Sequence, residues 1–247
     1  MKRDIIIIDN FYKNPDIVRK YAIERLKTKS YSPFTSEENQ IPGHKSSWRT
    51  TCFQESKDCP FKSSKELIDK LQAIINEEID VDAWNATYPT NEKGVSSVDC
   101  DELVKGMKSG KYSSKWNCCF HWKGYQGHGI GDGVHTHSHK DGWSNVDDNG
   151  WAGLIYLNPK APINSGLNLF KNKLGRDYRH MTPKEEWQLE DSFGAIYNRL
   201  ILVRGKKPHC GADGFHESLE IGRIFQTLFF KIKNNQPQEL DSIEIFK

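Results

Sequence analysis

Seven of the nine histidines in this 247-residue chain fall in two short windows, 121–139 and 209–216. In the first, Val134-His135-Thr136-His137-Ser138-His139-Lys140-Asp141 sets four metal-binding side-chain types at i, i+2, i+4 and i+6. On an extended strand all four leave the same face, and neighbours in such a row are close enough to share one ion. Three imidazoles and a carboxylate make poor core residues, because each would need its own buried partner. A solvated histidine-rich loop is the plain alternative, but a metal site accounts better for the spacing.

Three histidines alone would suit zinc, copper or iron. Asp141 adds a carboxylate, and two histidines with one carboxylate form the facial triad of non-haem Fe(II) centres, with three positions left open. Such a triad needs an H-x-D pair on one strand and a distant second histidine. His139-x-Asp141 supplies the pair, and His209 and His216 are the candidates for the distal ligand.

Ligands of this kind need strands to hold them. Residues 5–8 are four isoleucines ending at Asp9-Asn10, which predicts an opening strand. Asn14-Pro15 then predicts a helix entry, and Ile17, Val18, Tyr21, Ala22 and Leu26 extend that helix to about Lys27. Ser63-x-x-Glu66 has the form of a capping box ahead of a stripe of Leu67, Ile68, Leu71, Ile74 and Ile75, a second helix. From Trp116 onward the pattern changes to short strand-like pieces at 116–122, 134–139, 151–157, 167–170, 195–203 and 224–232. Turns rich in Gly, Asn, Asp and Pro separate them, which favours an all-β sandwich or barrel. Thr182-Pro183-x-Glu185 predicts a short helix ending before Phe193. No repeat recurs, so the expectation is one mainly β domain over 1–247. Its β core spans 116–233, and residues 1–115 form a helical and mixed support.

The order of motifs after the histidine row is similar to that of the 2-oxoglutarate/Fe(II)-dependent oxygenases of the prolyl-hydroxylase type. It runs through Trp151-Ala152-Gly153-Leu154-Ile155-Tyr156-Leu157-Asn158-Pro159, then Asn164-Ser165-Gly166-Leu167-Asn168-Leu169-Phe170, then Asn198-Arg199-Leu200-Ile201-Leu202-Val203 and His209. Arg223-Ile224-Phe225-Gln226-Thr227 closes it. The opening Ile8-Asp9-Asn10-Phe11-Tyr12-x-Asn14-Pro15-Asp16 also resembles bacterial and phage members of that family. The resemblance implies a double-stranded β-helix (jelly roll, cupin-like) with flanking helices, and Fe(2+) and 2-oxoglutarate as cofactors. It also implies that O2 is used to hydroxylate a small molecule, an amino acid or a peptide. Arg223, with hydroxyls from Thr227 and Tyr156, is implied as the receptor of the cosubstrate's far carboxylate, a task suited to the planar guanidinium.

Two choices stay open within that resemblance. His139 and Asp141 form the metal pair if the carboxylate decides. Relatives that carry an aliphatic residue before the pair would instead select His135 and His137, an all-histidine frame. His209 lies 14 residues before Arg223 and His216 seven, on either side of the family's usual separation. His209 is favoured because it follows a hydrophobic run and the turn Gly205-Lys206-Lys207-Pro208. Competing functions are a jelly-roll metal-binding module without turnover and a cupin-like Zn or Mn enzyme.

Composition narrows the partners. Thirty-five basic against 33 acidic residues leave a formal charge of +2 with no basic stripe, so nucleic acid is an unlikely ligand. Twelve Phe, nine Tyr and seven Trp exclude a disordered chain. No apolar run approaches the roughly 20 residues of a membrane helix. The first residues do not read as a secretory leader, and six cysteines without a C-x-x-C pair read as reduced thiols. A cytoplasmic location is expected.

Overall fold

The computed structural model describes residues 3–29, 50–53, 59–86, 88–89, 97–112, 117–123, 134, 149–174, 184–212, 214–216 and 218–233. In chain order the strands are β1 (Ile5–Ile8), β2 (Thr50–Phe53), β3 (Phe120–Lys123), β4 (Trp151–Tyr156), β5 (Leu167–Asn172), β6 (Trp187–Phe193), β7 (Leu200–Arg204), β8 (His209–Gly211) and β9 (Arg223–Phe230). The helices are α1 (Pro15–Lys29), α2 (Lys65–Ile75), α3 (Val81–Asn85) and α4 (Cys100–Ser109).

The described strands pair antiparallel into a six-stranded sheet, β1-β7-β4-β9-β3-β2, and a three-stranded sheet, β6-β5-β8. From β4 the chain crosses to β5 and β6, returns to β7, crosses to β8 and returns to β9. This alternation between two facing sheets is the double-stranded β-helix, or jelly roll.

Strand alternation sorts the apolar residues into two layers. Ile6, Trp151, Ile155, Leu200, Leu202, Ile224, Leu228 and Phe230 face one way and pack with Val18, Ala22 and Leu26 of α1 and Leu67, Leu71 and Ile75 of α2. Ala152, Tyr156, Ile201, Val203, Phe225 and Phe229 face the other way and pack with Leu167 and Leu169 of β5, between the sheets. Each fully buried Leu, Ile or Phe stabilises the fold by about 1.5–3 kcal/mol, and the larger share lies under the helices. The helices therefore cover the outer face of the six-stranded sheet and leave its inner face for a site.

The opening strand and the first helix lie where the sequence puts them. Several other elements differ. The second helix is capped by Ser64, whose hydroxyl accepts from the Leu67 amide at 3.1 Å. Ser63 instead donates to the Cys59 carbonyl, so the expected Ser63–Glu66 box does not form. The expected helix after Thr182 is reduced to one 3-10 turn, Lys184–Glu186, and the remainder is β6. Pairing of β6 along β5, with a bulge at Leu169/Phe170, overrides the local capping signal. The strand expected from 195 starts at Leu200, because Asn198 is left-handed (φ 61°) and turns the chain first. The strand expected from 116 starts at Phe120. Cys118 and Cys119 precede it, and both are buried. No helix among the described residues is long and apolar enough to cross a membrane.

Candidate functional site

On β9, alternation turns Arg223, Phe225, Thr227 and Phe229 toward the space between the sheets. Arg223 stands at the edge of this layer and is 3% exposed. Its Nε donates to the Ser165 carbonyl at 2.8 Å and its Nη2 to the Gly166 carbonyl at 3.1 Å, so it bridges the two sheets. The guanidinium carbon lies 4.5 Å from the Phe225 ring centre and 5.7 Å from that of Tyr156. No carboxylate among the described residues pairs with Arg223.

That absence is costly, because burying an unpaired cation costs several kcal/mol. Arg204, the other arginine buried to this degree among the described residues, shows the usual remedy. It pairs with Glu77 at 2.8 Å, donates to the Arg3 and Asn149 carbonyls, and lies over Trp151. Arg223 has carbonyls on one edge of its fork and no acid among the described residues.

Tyr156, at the end of β4, supplies the second half of the pocket. Its hydroxyl is buried and has no hydrogen-bond partner among the described residues. Burial pushes its pKa above the usual phenol range. The Arg223 guanidinium is near enough to pull the other way without the geometry of a hydrogen bond. An orphaned donor costs about 1–3 kcal/mol. Among the described residues this is a buried cation without an acid next to a buried donor without an acceptor, which has the polarity of an anion receptor.

The backbone around the pair is fixed by glycine and asparagine. A Cβ on Gly166 would lie 1.7 Å from the Phe193 carbonyl oxygen, so only glycine can present its own carbonyl to Arg223 there. A Cβ on Gly211 would come 3.5 Å from the Arg223 guanidinium, which places β8 against the same group. Asn158 donates to the Ile221 and Gly222 carbonyls at 2.5 and 2.7 Å and so holds the two residues just before Arg223.

Thr227 shares the inner face but lies four residues along the strand, about 13 Å from Arg223 at ~3.3 Å per residue. Its hydroxyl donates to the Cys119 carbonyl and contacts His121 Nε2, both at 3.2 Å. The structure therefore groups Arg223 with Tyr156 and places Thr227 deeper, with His121.

The distal histidine candidates have different settings. His209 opens β8, is buried, and lies opposite Leu169 on the inner side. Its Nδ1 is 2.7 Å from the Lys207 carbonyl. That contact requires the proton on Nδ1 and directs the lone pair to Nε2, the arrangement that orients metal-binding imidazoles. His216 is exposed, and its Nδ1 accepts from the Ser218 amide at 2.9 Å. His135, His137, His139 and Asp141 lie outside the described residues. So does the strand expected at 134–139, apart from Val134, which is buried. Among the described residues no three metal-binding side chains cluster.

Sequence reasoning assigned no role to His121 or Lys123. In Phe120-His121-Trp122-Lys123 alternation suggests polar side chains facing water. The helices instead cover the Phe120 and Trp122 face, and His121 stacks on Phe225 at 5.0 Å and 3° on the inner side. The signal was the alternation itself, but which face turns inward is decided only by the helices that cover the other.

No family model and no curated protein matches the chain. Solved structures do resemble it at low identity. The prolyl hydroxylase from Trichoplax adhaerens, in complex with a hypoxia inducible factor peptide fragment, is 15% identical, with a TM-score of 0.41, over 92% of this chain and 83% of that one. The Pseudomonas putida prolyl-4-hydroxylase is 12% identical, with a TM-score of 0.40, over 92% of both chains. The non-haem α-ketoglutarate-dependent epimerase SnoN of nogalamycin biosynthesis is 8% identical, with a TM-score of 0.46, over 93% of this chain and 78% of that one.

Proposed function

We propose that this chain is a 2-oxoglutarate- and Fe(II)-dependent dioxygenase that hydroxylates a small molecule, an amino acid or a peptide. The observation that carries the reading is the buried Arg223, with no acid among the described residues, beside a Tyr156 hydroxyl that has no partner among them. A carboxylate there would satisfy both groups, and charge-assisted bonds of this kind contribute about 1.5–3 kcal/mol. A metal-binding module without turnover has no use for such a receptor.

The residues suit both cofactors. Arg223 and Tyr156 would take the far carboxylate of 2-oxoglutarate, with Thr227 further along the same face. His209, with its lone pair on Nε2, would hold the metal together with His139 and Asp141, or with His135 and His137 in the alternative frame. Bound Fe(II) would supply oxygen activation coupled to decarboxylation of 2-oxoglutarate to succinate. The chain's own part is to bind and orient the cosubstrate, to fix the His209 tautomer through Lys207, and to keep water away with Phe225, Leu169 and Val203.

Thermal stabilisation by 2-oxoglutarate with Mn²⁺ under argon tests the binding. At 100 times Kd the gain should be about 2.7 kcal/mol. Succinate release with Fe²⁺ in a screen of amino acids, peptides and small metabolites tests turnover. Absence of both stabilisation and succinate would sink the reading.

A further inference from the structure

β1 stands at one edge of the six-stranded sheet and pairs with β7 alone among the described residues. The Arg204 amide donates to the Asp4 carbonyl, which makes that facing pair a hydrogen-bonded one. Bonded and non-bonded pairs alternate along an antiparallel ladder. Ile6 and Ile8 therefore bond to β7, while Ile5 and Ile7 turn their N–H and C=O groups to the open edge. Natural sheets blunt such edges with charge, proline or a bulge, because a bare edge invites pairing with another strand. β1 has none of these. Its residues are all isoleucine in unbroken register, and Ile7 is 37% exposed. Charges stand only beyond its ends. An exposed Arg3 and Asp4 precede it, and Asp9 follows it with its side chain half exposed beside Arg199.

We propose that β1 is a dimer interface, pairing antiparallel with β1 of a second copy of this chain about a two-fold axis through Ile6. In this register Ile5 of each copy faces Ile7 of the other, and the two exchange both backbone bonds, as their outward N–H and C=O groups require. Ile6 faces its own copy in a non-hydrogen-bonded pair. Arg3 of each copy faces Asp9 of the other, so opposite charges close both ends of the strand pair. A slip of one residue would aim these outward groups at Ile6 and Ile8, whose own are spent on β7. A slip of two would set Ile7 against Arg3, or Ile5 against Asp9, and separate the charges. The strand thus complements itself in one register, the condition an isologous interface must meet. That self-complementarity selects a second copy over a strand from another protein. The two six-stranded sheets join edge to edge into one.

Sedimentation velocity of the full chain over roughly 1–100 μM tests this, the range suited to a small interface. Monomer should pass over to dimer as concentration rises, and less readily at high salt, which screens the Arg3–Asp9 pairs. Ile7→Pro removes an outward N–H and no bond to β7, a place where an edge strand tolerates proline. It should raise the dimer's Kd by about tenfold or more while the thermal transition stays cooperative. Arg3→Glu lies outside the strand and sets like charges against Asp9, so it should weaken the dimer even if proline disturbs the fold. Ile6→Cys reads the register. Its Cα atoms would lie about 4.5 Å apart across the axis, within disulfide range, so mild oxidation should cross-link this variant and leave Ile8→Cys and the wild type uncross-linked. A wild type that stays monomeric would overturn the proposal and leave the edge to a strand from another protein. A dimer that neither Ile7→Pro nor Arg3→Glu weakens would overturn it too, as would cross-linking through Ile8→Cys in place of Ile6→Cys.

Discussion

Removing the Tyr156 hydroxyl should act in opposite directions on the empty and the loaded protein. Tyr156→Phe deletes a buried group without a partner among the described residues, so the ligand-free protein should keep its stability or gain up to about 1–3 kcal/mol. Affinity for 2-oxoglutarate should fall severalfold in the same variant, because the hydroxyl is then missing from the receptor. A destabilised variant with unchanged affinity would make Tyr156 an ordinary core residue. Arg223→Met should weaken 2-oxoglutarate binding by at least about tenfold while Mn²⁺ binding holds, since Arg carries no ligand atom. At the metal, His209→Ala should abolish metal-dependent 2-oxoglutarate turnover and His216→Ala should leave much of it, because only His209 is buried with its Nδ1 held. Equal losses would remove that distinction. Asp141→Ala decides the frame. If His139 and Asp141 hold the metal, this variant should lose Mn²⁺ affinity more steeply than His135→Ala or His137→Ala, and the reverse ranking selects the all-histidine frame.

The elements that aim Arg223 are held by contacts around residues 218–222, and one of these titrates. Glu220 pairs with Lys27 of α1 at 2.6 Å, and its backbone carbonyl accepts from Arg19. The Lys27 ammonium, followed by the Glu220 amide and the Ser218 hydroxyl, holds its carboxyl down to about 2 from 4.5. A depressed carboxyl stabilises the fold above its unfolded value and loses that contribution as pH falls toward the folded one. The stability difference between wild type and Glu220→Gln should therefore be constant above about pH 4.5 and shrink toward pH 2. It should be small, because the pair is exposed. A difference that grows on acidification would refute the pairing. Elements with strong local signals were legible in the sequence: the four isoleucines of β1, the Asn14-Pro15 entry to α1 and the apolar stripe of α2 all lie as expected. Non-local pairing hid the others. Thr182-Pro183-x-Glu185 reads as a helix start, yet residues 187–193 find their partners on β5, some 20 residues away. Five-residue α3 is too short to show a period, whereas α4 is as periodic as α2 and was overlooked. In the site, Arg223 and Tyr156 were legible as residue types in a motif order. The empty partner positions around them, and the inward turn of His121, exist only once the helices have taken the outer face.

The N-terminal segment is built into the core, which fixes how the whole chain should unfold. β1 pairs with β7 along its full length. The Asn198 side chain accepts from the Tyr12 amide and donates to the Tyr12 carbonyl, both at 2.8 Å, and the Asn198 carbonyl receives the Phe11 amide. The Asn198 amide in turn donates to the Tyr156 carbonyl at 2.8 Å. Contacts thus run unbroken from the opening residues to the strand that carries Tyr156. One buried cluster also joins α1 and α2 to β4, β7 and β9. We expect a single cooperative unit, with β1, α1 and α2 as an integral wall of the β core. A chain lacking residues 1–29 would expose Leu71, Leu202, Ile224 and Leu228, each at most 1% exposed in the full chain. At about 1.5–3 kcal/mol for each such side chain, that alone is comparable to the usual 5–15 kcal/mol margin, and the pairing of β1 is lost as well. Tryptophan fluorescence and far-UV circular dichroism should therefore report one coincident thermal transition for the full chain. The shortened chain should show neither a cooperative transition nor 2-oxoglutarate binding. Two separate transitions, or a shortened chain that melts cooperatively and still binds 2-oxoglutarate, would show that the jelly roll stands without its helical wall.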